Sequence, residues 1–210
     1  MSLDAACSPC GPGLAQALAA DPLLAQAWPG LPRRQWPAGA MLLAAGEPAR
    51  ELWFIESGLV RLYCLAADGL ERNKSFHAEG AWIGAGVPPL AAPSPYFIEA
   101  LEPVTAAQLS YAELLRWSAG SPAVGQLLAA GLARVFARLA AREAELLLLD
   151  APARYRAYLA EYAAIAARVP LRHVAGYLGI TNVALSRIRR RLGVGGRTRP
   201  VSPGARPSGE

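Results

Sequence analysis

Histidine and cysteine are scarce in this sequence: two histidines, His77 and His173, and three cysteines, Cys7, Cys10 and Cys64. Two imidazoles leave little for acid–base or nucleophilic catalysis, and neither G-x-S-x-G, H-E-x-x-H nor a Gly-rich phosphate loop occurs. An enzyme is therefore not expected. The odd cysteine count is unlike a disulfide framework, and acidic Asp4 stands where a secretory signal needs a basic region. Charge is missing altogether from 81–98. Pro88, Pro89, Pro93 and Pro95 rule out a helix there, and lipid does not tolerate open backbone. These absences point to a cytoplasmic protein that does not enter a membrane.

What is present is unevenly distributed. With 210 residues and 53% hydrophobic content, the chain can build one large core or two smaller ones. Residues 151–210 contain 11 arginines, no lysine and 2 acidic residues, a net charge of +9, whereas 1–150 carries −4. The segregation favours two domains and gives the C-terminal end the footprint of a polyanion binder.

Residues 170–192, PLRHVAGYLGITNVALSRIRRRL, read as two short helices joined by a tight turn. Pro170 suits the start of the first, whose buried face is Val174, Ala175 and Leu178. Gly179 permits the turn, Ile180 plugs the gap between helices and Thr181 caps the second. That helix is expected to turn Val183, Ile188 and Leu192 inward, with Ala184 nearby, leaving Asn182, Ser186, Arg187, Arg189, Arg190 and Arg191 polar. This is the sequence form of a helix-turn-helix whose second helix lies in the DNA major groove. A helical hairpin with a merely solvated basic face, serving ligand or protein contact, is the rival reading.

Around this motif the chain divides into an N-terminal segment with a C-x-x-C pair (1–30), an all-β domain (31–118), a long helix (119–150), the helix-turn-helix domain (151–193) and a disordered basic tail (194–210). Cys7 and Cys10 are candidate metal ligands, yet with only Cys64 besides them a four-sulfur site cannot be built in one chain. Short apolar runs at 41–43, 52–55, 59–65, 76, 82–83, 96–98 and 105–109 alternate with turns at Gly39, Gly46, Gly58, Gly69 and Gly80, the cadence of a sandwich or barrel. Alternation through 59–65 is expected to expose Arg61. Leu128, Leu132, Val135, Leu139, Arg142, Leu146 and Leu149 form a heptad seam suited to a partner chain, in which Arg142 fixes register or pairs with Glu143 or Glu145. Pro152 is expected to end that helix. Another, from about 153 to 168, buries Tyr155, Tyr158, Leu159, Tyr162 and Ile165.

Gly39-Ala40-Met41-Leu42 with Gly46-Glu47, LWFIESGLVRLY at 52–63, Gly69, HAEGAWIG at 77–84 and YLGITNVALSRIRRRL at 177–192 together resemble the Crp–Fnr superfamily of bacterial transcription regulators. The resemblance covers about 33–192. It implies an α+β architecture: an N-terminal antiparallel β-roll (jelly-roll-like) domain, a long dimerisation helix and a C-terminal helix-turn-helix domain, here lacking an evident wing. It also implies a homodimer on a pseudo-palindromic double-stranded DNA promoter site, with RNA polymerase as a further partner. On the matching positions, Arg187 is the candidate for a bidentate guanine contact. Asn182 and Ser186 are secondary base-edge candidates, and Arg172, Thr181, Arg189, Arg190 and Arg191 contact phosphates.

Three departures qualify the function. Where cyclic-nucleotide-binding members carry a Glu for the ribose and Arg-Ser for the phosphate, 84–96 has neither acid nor arginine, so cAMP in the family's manner is not expected. The cysteines are two short of the four that bind the family's iron–sulfur cluster. Val183 stands where members commonly present Glu. Trp53, Trp82, Gly84 and Tyr96 are candidates for the lining of an effector pocket, although aromatic residues there more often build core. His77 is a candidate haem ligand. The cofactor itself is unknown. Arg197, Arg199 and Arg206 are expected to trail along the DNA backbone, so deleting 195–210 should flatten the salt dependence of DNA binding without altering sequence preference. Anisotropy titrations at several salt concentrations read this directly; an unchanged slope discards the role.

Overall fold

The computed structural model describes residues 21–86 and 92–194, so Cys7, Cys10 and the tail lie outside the described residues. Helix α1 (Pro22–Ala27) and a 3-10 turn lead into eight strands. These are β1 (Arg33–Trp36), β2 (Met41–Leu43), β3 (Glu51–Ser57), β4 (Val60–Leu65), β5 (Glu71–His77), β6 (Trp82–Gly84), β7 (Phe97–Ala100) and β8 (Val104–Ser110). They pair antiparallel into two four-stranded sheets, β1-β8-β3-β6 and β2-β7-β4-β5, packed face to face as a β-roll. The expected turn glycines, Gly39, Gly46, Gly58, Gly69 and Gly80, all have positive φ. Strand β1, the one strand not expected, reads Arg-Arg-Gln-Trp. An edge strand paired only with β8 needs no apolar alternation, which is why its sequence gave no strand signal.

Five helices follow: α2 (Tyr111–Gly120), α3 (Pro122–Leu148), α4 (Ala151–Glu161) and, after turns to 168, α5 (Leu171–Leu178) and α6 (Asn182–Arg191), which complete the described chain. Their starts are legible in side chains. Ser110 and Glu113 form a capping box on α2, Ser121 caps α3 ahead of Pro122, and Asp150 accepts from the Ala153 N–H at 2.8 Å to cap α4. Pro152 thus opens α4 instead of ending α3, because a proline in a first turn loses no hydrogen bond there.

Three buried clusters organise the molecule. One fills the roll, with Trp53, Ile55, Val60, Leu62, Ile83 and Ile98. A second seats α2 and the first turns of α3 on the outer face of the β3/β8 sheet through Phe54, Leu109, Leu114, Val124 and Leu128. The third joins the outer face of the other sheet (Leu59, Phe76, Ala78) to the C-terminal helices (Tyr155, Tyr158, Tyr162, Ile165, Val174, Tyr177, Leu178, Leu185, Ile188). Phe76 touches Tyr158, Tyr162 and Tyr177 with centroids 5.6–6.2 Å apart.

Arg61 is the correction that matters. Expected in solvent, it is 3% exposed at this interface. Strand β4 is apolar on both faces because both are covered, and its one cation is matched by partners. The guanidinium donates to Glu99 at 2.6 and 3.1 Å, to Asn73 at 3.3 Å and to His173 Nδ1 at 2.9 Å, and pairs with Glu71. Asn73 donates in turn to the His173 carbonyl at 2.9 Å. Helix α5 comes this close because residue 176 is glycine; a Cβ there would lie 2.8 Å from Asn73 Nδ2. Nearby, Arg168 spans Glu79 (2.8 and 2.9 Å) and Glu102 (2.5 and 3.1 Å), a second bridge between the C-terminal unit and the roll.

These contacts fix how stability responds to acid. With Arg61 donating to Nδ1, His173 carries its proton on Nε2, which is buried without a partner. Burial, with Arg61 and Arg172 nearby against a smaller opposing effect of Glu71, lowers His173 to about 4; burial likewise lowers His77 to about 4, helped by Lys74 and Arg138. Below the unfolded value of ~6.5 the unfolded chain therefore takes up protons that the folded chain refuses, and stability falls from there to about pH 4. Glu79, held by Arg168 at about 2, adds loss from its unfolded value of ~4.5 downward. Thermal unfolding from pH 8 to 3 should show a continuous decline beginning near ~6.5, and His173→Asn should roughly halve its upper segment. A melting temperature that stays flat between pH 6.5 and 4.5 contradicts the arrangement.

Candidate nucleic-acid interface

The C-terminal pair of helices is assembled as its residues require. Pro170 precedes α5, which buries His173, Val174, Ala175, Tyr177 and Leu178. Gly179 adopts the left-handed conformation (φ 70°) and its N–H donates to the Ala175 carbonyl, closing the helix. Ile180 packs into the core below, and Thr181 Oγ1 accepts from the Ala184 N–H at 3.2 Å to start α6. Helix α6 buries Leu185 and Ile188, with Leu192 half-buried after it. Val183, expected inward, is 62% exposed. At ~100° per residue it lies ~200° round the helix from Leu185, so the face carrying 185, 188 and 192 must expel it.

The outward face of α6 is therefore Val183, Ser186, Arg187 and Arg190, all exposed, with Asn182 at its N-terminal end and Arg189 and Arg191 on opposite flanks. Arg172 on α5 joins Asn182, Ser186, Arg189 and Arg190 around an open cleft of about 740 Å³. Among the described residues, none of Arg172, Arg187, Arg189, Arg190 and Arg191 forms an ion pair. The arginines that hold the C-terminal unit in place behave oppositely. Arg61 and Arg168 are paired as described, Arg138 pairs with Glu161 and donates to Tyr177 Oη at 2.5 Å, and Arg142 meets Glu145 at 2.8 Å. Cations are thus divided between an inner, neutralised set and an outer, open set. The open set presents guanidinium donors from α6 and the neighbouring Arg172, which suits a polyanion with a regular spacing of acceptors.

Residues 33–119 match the family model of the cyclic nucleotide-binding domain. Solved structures similar over most of the chain include FixK2 from Bradyrhizobium japonicum, at 21% identity and TM-score 0.68, covering 78% of this chain and 84% of that one. The c-di-GMP-responsive global regulator CLP of Xanthomonas campestris aligns at 18% identity and TM-score 0.68, over 82% of this chain and 92% of its own. The chain has the Crp–Fnr fold. The catabolite activator protein of Thermus thermophilus shares 23% identity at TM-score 0.53, over 89% of this chain and 87% of that one. No curated protein matches the sequence significantly.

Within the Crp–Fnr fold the expected effector residues separate. Trp82 does not face the roll interior: paired with Phe54, it lies on the outer side of the sheet against Trp28, 41% exposed. Sheet parity puts it there, since its neighbour Ile83 takes the inward position. Trp53 does point inward, into core, 6.3 Å from Trp36. Gly84 packs against β3, where a Cβ would meet Leu52 at 2.7 Å. Tyr96 spans the roll, its hydroxyl donating to the Gly84 carbonyl at 2.8 Å, while Tyr111 donates to the Ala85 carbonyl at 2.6 Å. No cation or acid approaches these groups from 84–86 or 92–96, so those residues do not fit the cyclic phosphate and ribose of a nucleotide. His77 Nε2 is hydrogen-bonded to Ser75 at 2.9 Å, and Cys64 is exposed.

Along α3 the apolar stripe is wider than the heptad seam. Leu132, Val135, Phe136, Leu139, Leu146 and Leu147 are all exposed, so Phe136 and Leu147 share the outward face with the seam residues. Leu128, at the start of the seam, packs on the roll, and Leu149 lies at its far end, 36% exposed. Arg142 is turned onto its own chain, over the Tyr177 ring at 3.8 Å. By length and apolar content α3 is the one described helix able to cross a membrane. Its charged face and the contacts that join the units at its two ends argue against that. Sequence reasoning missed Arg61, Arg138, His173 and Tyr177, whose roles depend on what covers the roll; the apolar character of both faces of β4 was the available signal.

Proposed function

We propose that this chain is a dimeric, cytoplasmic, DNA-binding transcription regulator whose β-roll acts as sensor. The observation that carries it is the outer set of unpaired arginines on α6. A structural helix of this charge would recruit carboxylates, as Arg61, Arg138 and Arg168 do. Helix α6 enters the major groove with Arg187 bidentate to guanine O6 and N7, and with Ser186 and Asn182 at neighbouring base edges. Arg190 shares the outward face, whereas Arg189 and Arg191 reach the phosphates on either side of the groove, assisted by Arg172. Thr181 is committed to capping and contributes through its position. Val183, at the groove-facing surface, offers a methyl contact in place of a carboxylate.

Two copies associate through the α3 stripe, whose large exposed apolar residues are those that a seam between parallel helices buries. Their recognition helices then address half-sites about 34 Å apart on a pseudo-palindromic promoter. RNA polymerase is the partner through which occupancy alters transcription. Cyclic AMP is not the effector in the family's manner, because the 84–96 segment offers its phosphate no cation.

Selection from a random duplex pool, followed by anisotropy on the selected site, tests the reading. A two-fold-symmetric motif is expected, and Arg187→Ala should cost about 1–3 kcal/mol of discrimination at one guanine per half-site. Wild-type protein that selects no motif, or Arg187→Ala that leaves binding intact, supports the rival module whose helices serve only protein contact. Leu139→Arg in the stripe should yield a monomer by sedimentation and reduce binding to that of a single half-site. A dimer that persists in this variant displaces the α3 interface.

A further inference from the structure

We infer that Val183 reads the 5-methyl group of a thymine lying within about two base steps of the guanine that Arg187 contacts. This rests on α6 being the recognition helix, and it adds an apolar letter to the half-site. Six residues of α6 are exposed, Asn182, Val183, Ser186, Arg187, Arg190 and Arg191, and Val183 alone among them is apolar. It is 62% exposed and belongs to none of the three buried clusters. No buried contact of the fold asks for a valine here. A β-branched residue is also a poorer helix former than the alanine or glutamate that a solvated first turn accepts.

Its placement suits the groove. Val183 lies in the first turn of α6, which Thr181 starts by capping the Ala184 N–H. The N-terminal residues of a recognition helix are those that meet base edges, as a side chain as short as valine requires. Arg187 follows one turn later, ~40° round the helix and ~6 Å along it, so both side chains point the same way. Base pairs stack ~3.4 Å apart, and that rise therefore spans about two base steps. In a helix valine is nearly confined to one χ1 rotamer, so its methyl pair loses little freedom on contact. Thymine is the base such a surface selects, being the one base that carries a methyl in the major groove. Cytosine presents an amino donor instead, and α6 has no carboxylate to accept from it. Two methyl groups against a polar base edge displace water and return no hydrogen bond. The group recognised is the methyl itself, so 5-methylcytosine at that position binds better than cytosine.

The test uses the full-length protein and the duplex it selects from a random pool, with anisotropy as the readout. Each half-site of that duplex should carry a thymine within about two base steps of the guanine. Deoxyuridine in place of that thymine in one half-site removes only the methyl and should weaken binding about three- to tenfold. Val183→Ala should bind the thymine and deoxyuridine duplexes alike. Val183→Glu should prefer cytosine to thymine there, since its carboxylate accepts from the cytosine amino group. Val183 is exposed, so neither substitution threatens folding. Wild-type protein indifferent to the methyl, or Val183→Ala that keeps the penalty, overturns the inference and leaves the DNA-binding reading standing. Wild-type protein that selects no motif overturns both.

Discussion

A buried guanidinium holds this molecule in one piece. Arg61 leaves solvent only because Glu71, Glu99, Asn73 and His173 surround it, and those partners come from both the roll and helix α5. A charge in such a place gains less from its partners than their number suggests, since desolvation consumes much of the Coulombic attraction. What it confers is position. An apolar interface around Phe76 and the tyrosines tolerates sliding, whereas a planar donor facing two carboxylates and an imidazole admits one register. The placement of Gly176 against Asn73 follows from the same demand.

Helix α3 distributes that order along its length. Its first turns belong to the roll through Val124 and Leu128. Its later turns belong to the C-terminal unit through Arg138, Arg142 and Glu145, which grip Tyr177 and Glu161. Between and beside them runs the bare apolar stripe. A rotation of α3 about its axis is therefore felt at both attachments, and the Tyr177 grip passes it to the helix that precedes the turn into α6. The roll and helix α6 are connected twice, once directly through β4 and β5 and once through α3.

The parts of the fold governed by local rules were legible in the sequence. Glycines at turns, prolines at helix starts, Thr181 as a cap and the tyrosine spacing of α4 all act within a few residues of themselves. The errors share a different origin. Arg61 was assigned to solvent by alternation, which cannot know that a second unit covers the strand's outer face. Val183 was counted as core because valine is apolar, although the phase set by Leu185 and Ile188 excludes it. Trp82 was drawn toward a pocket by its chemistry, while sheet parity placed it outside. The open arginines of α6 were legible for the opposite reason: a set of arginines without nearby acids is visible in one dimension.

The shared tyrosine–Phe76 cluster bears on how such a protein can evolve. The helices from Ala151 onward complete their core with Leu59, Phe76 and Ala78 borrowed from the roll. A unit this small buries too little surface to be independent. It is consequently not a cassette that could be moved intact onto another β domain, since its core extends into the roll. Exchanging either half wholesale would strip the other of its lining, whereas substitutions on the outer face of α6 leave the shared core intact.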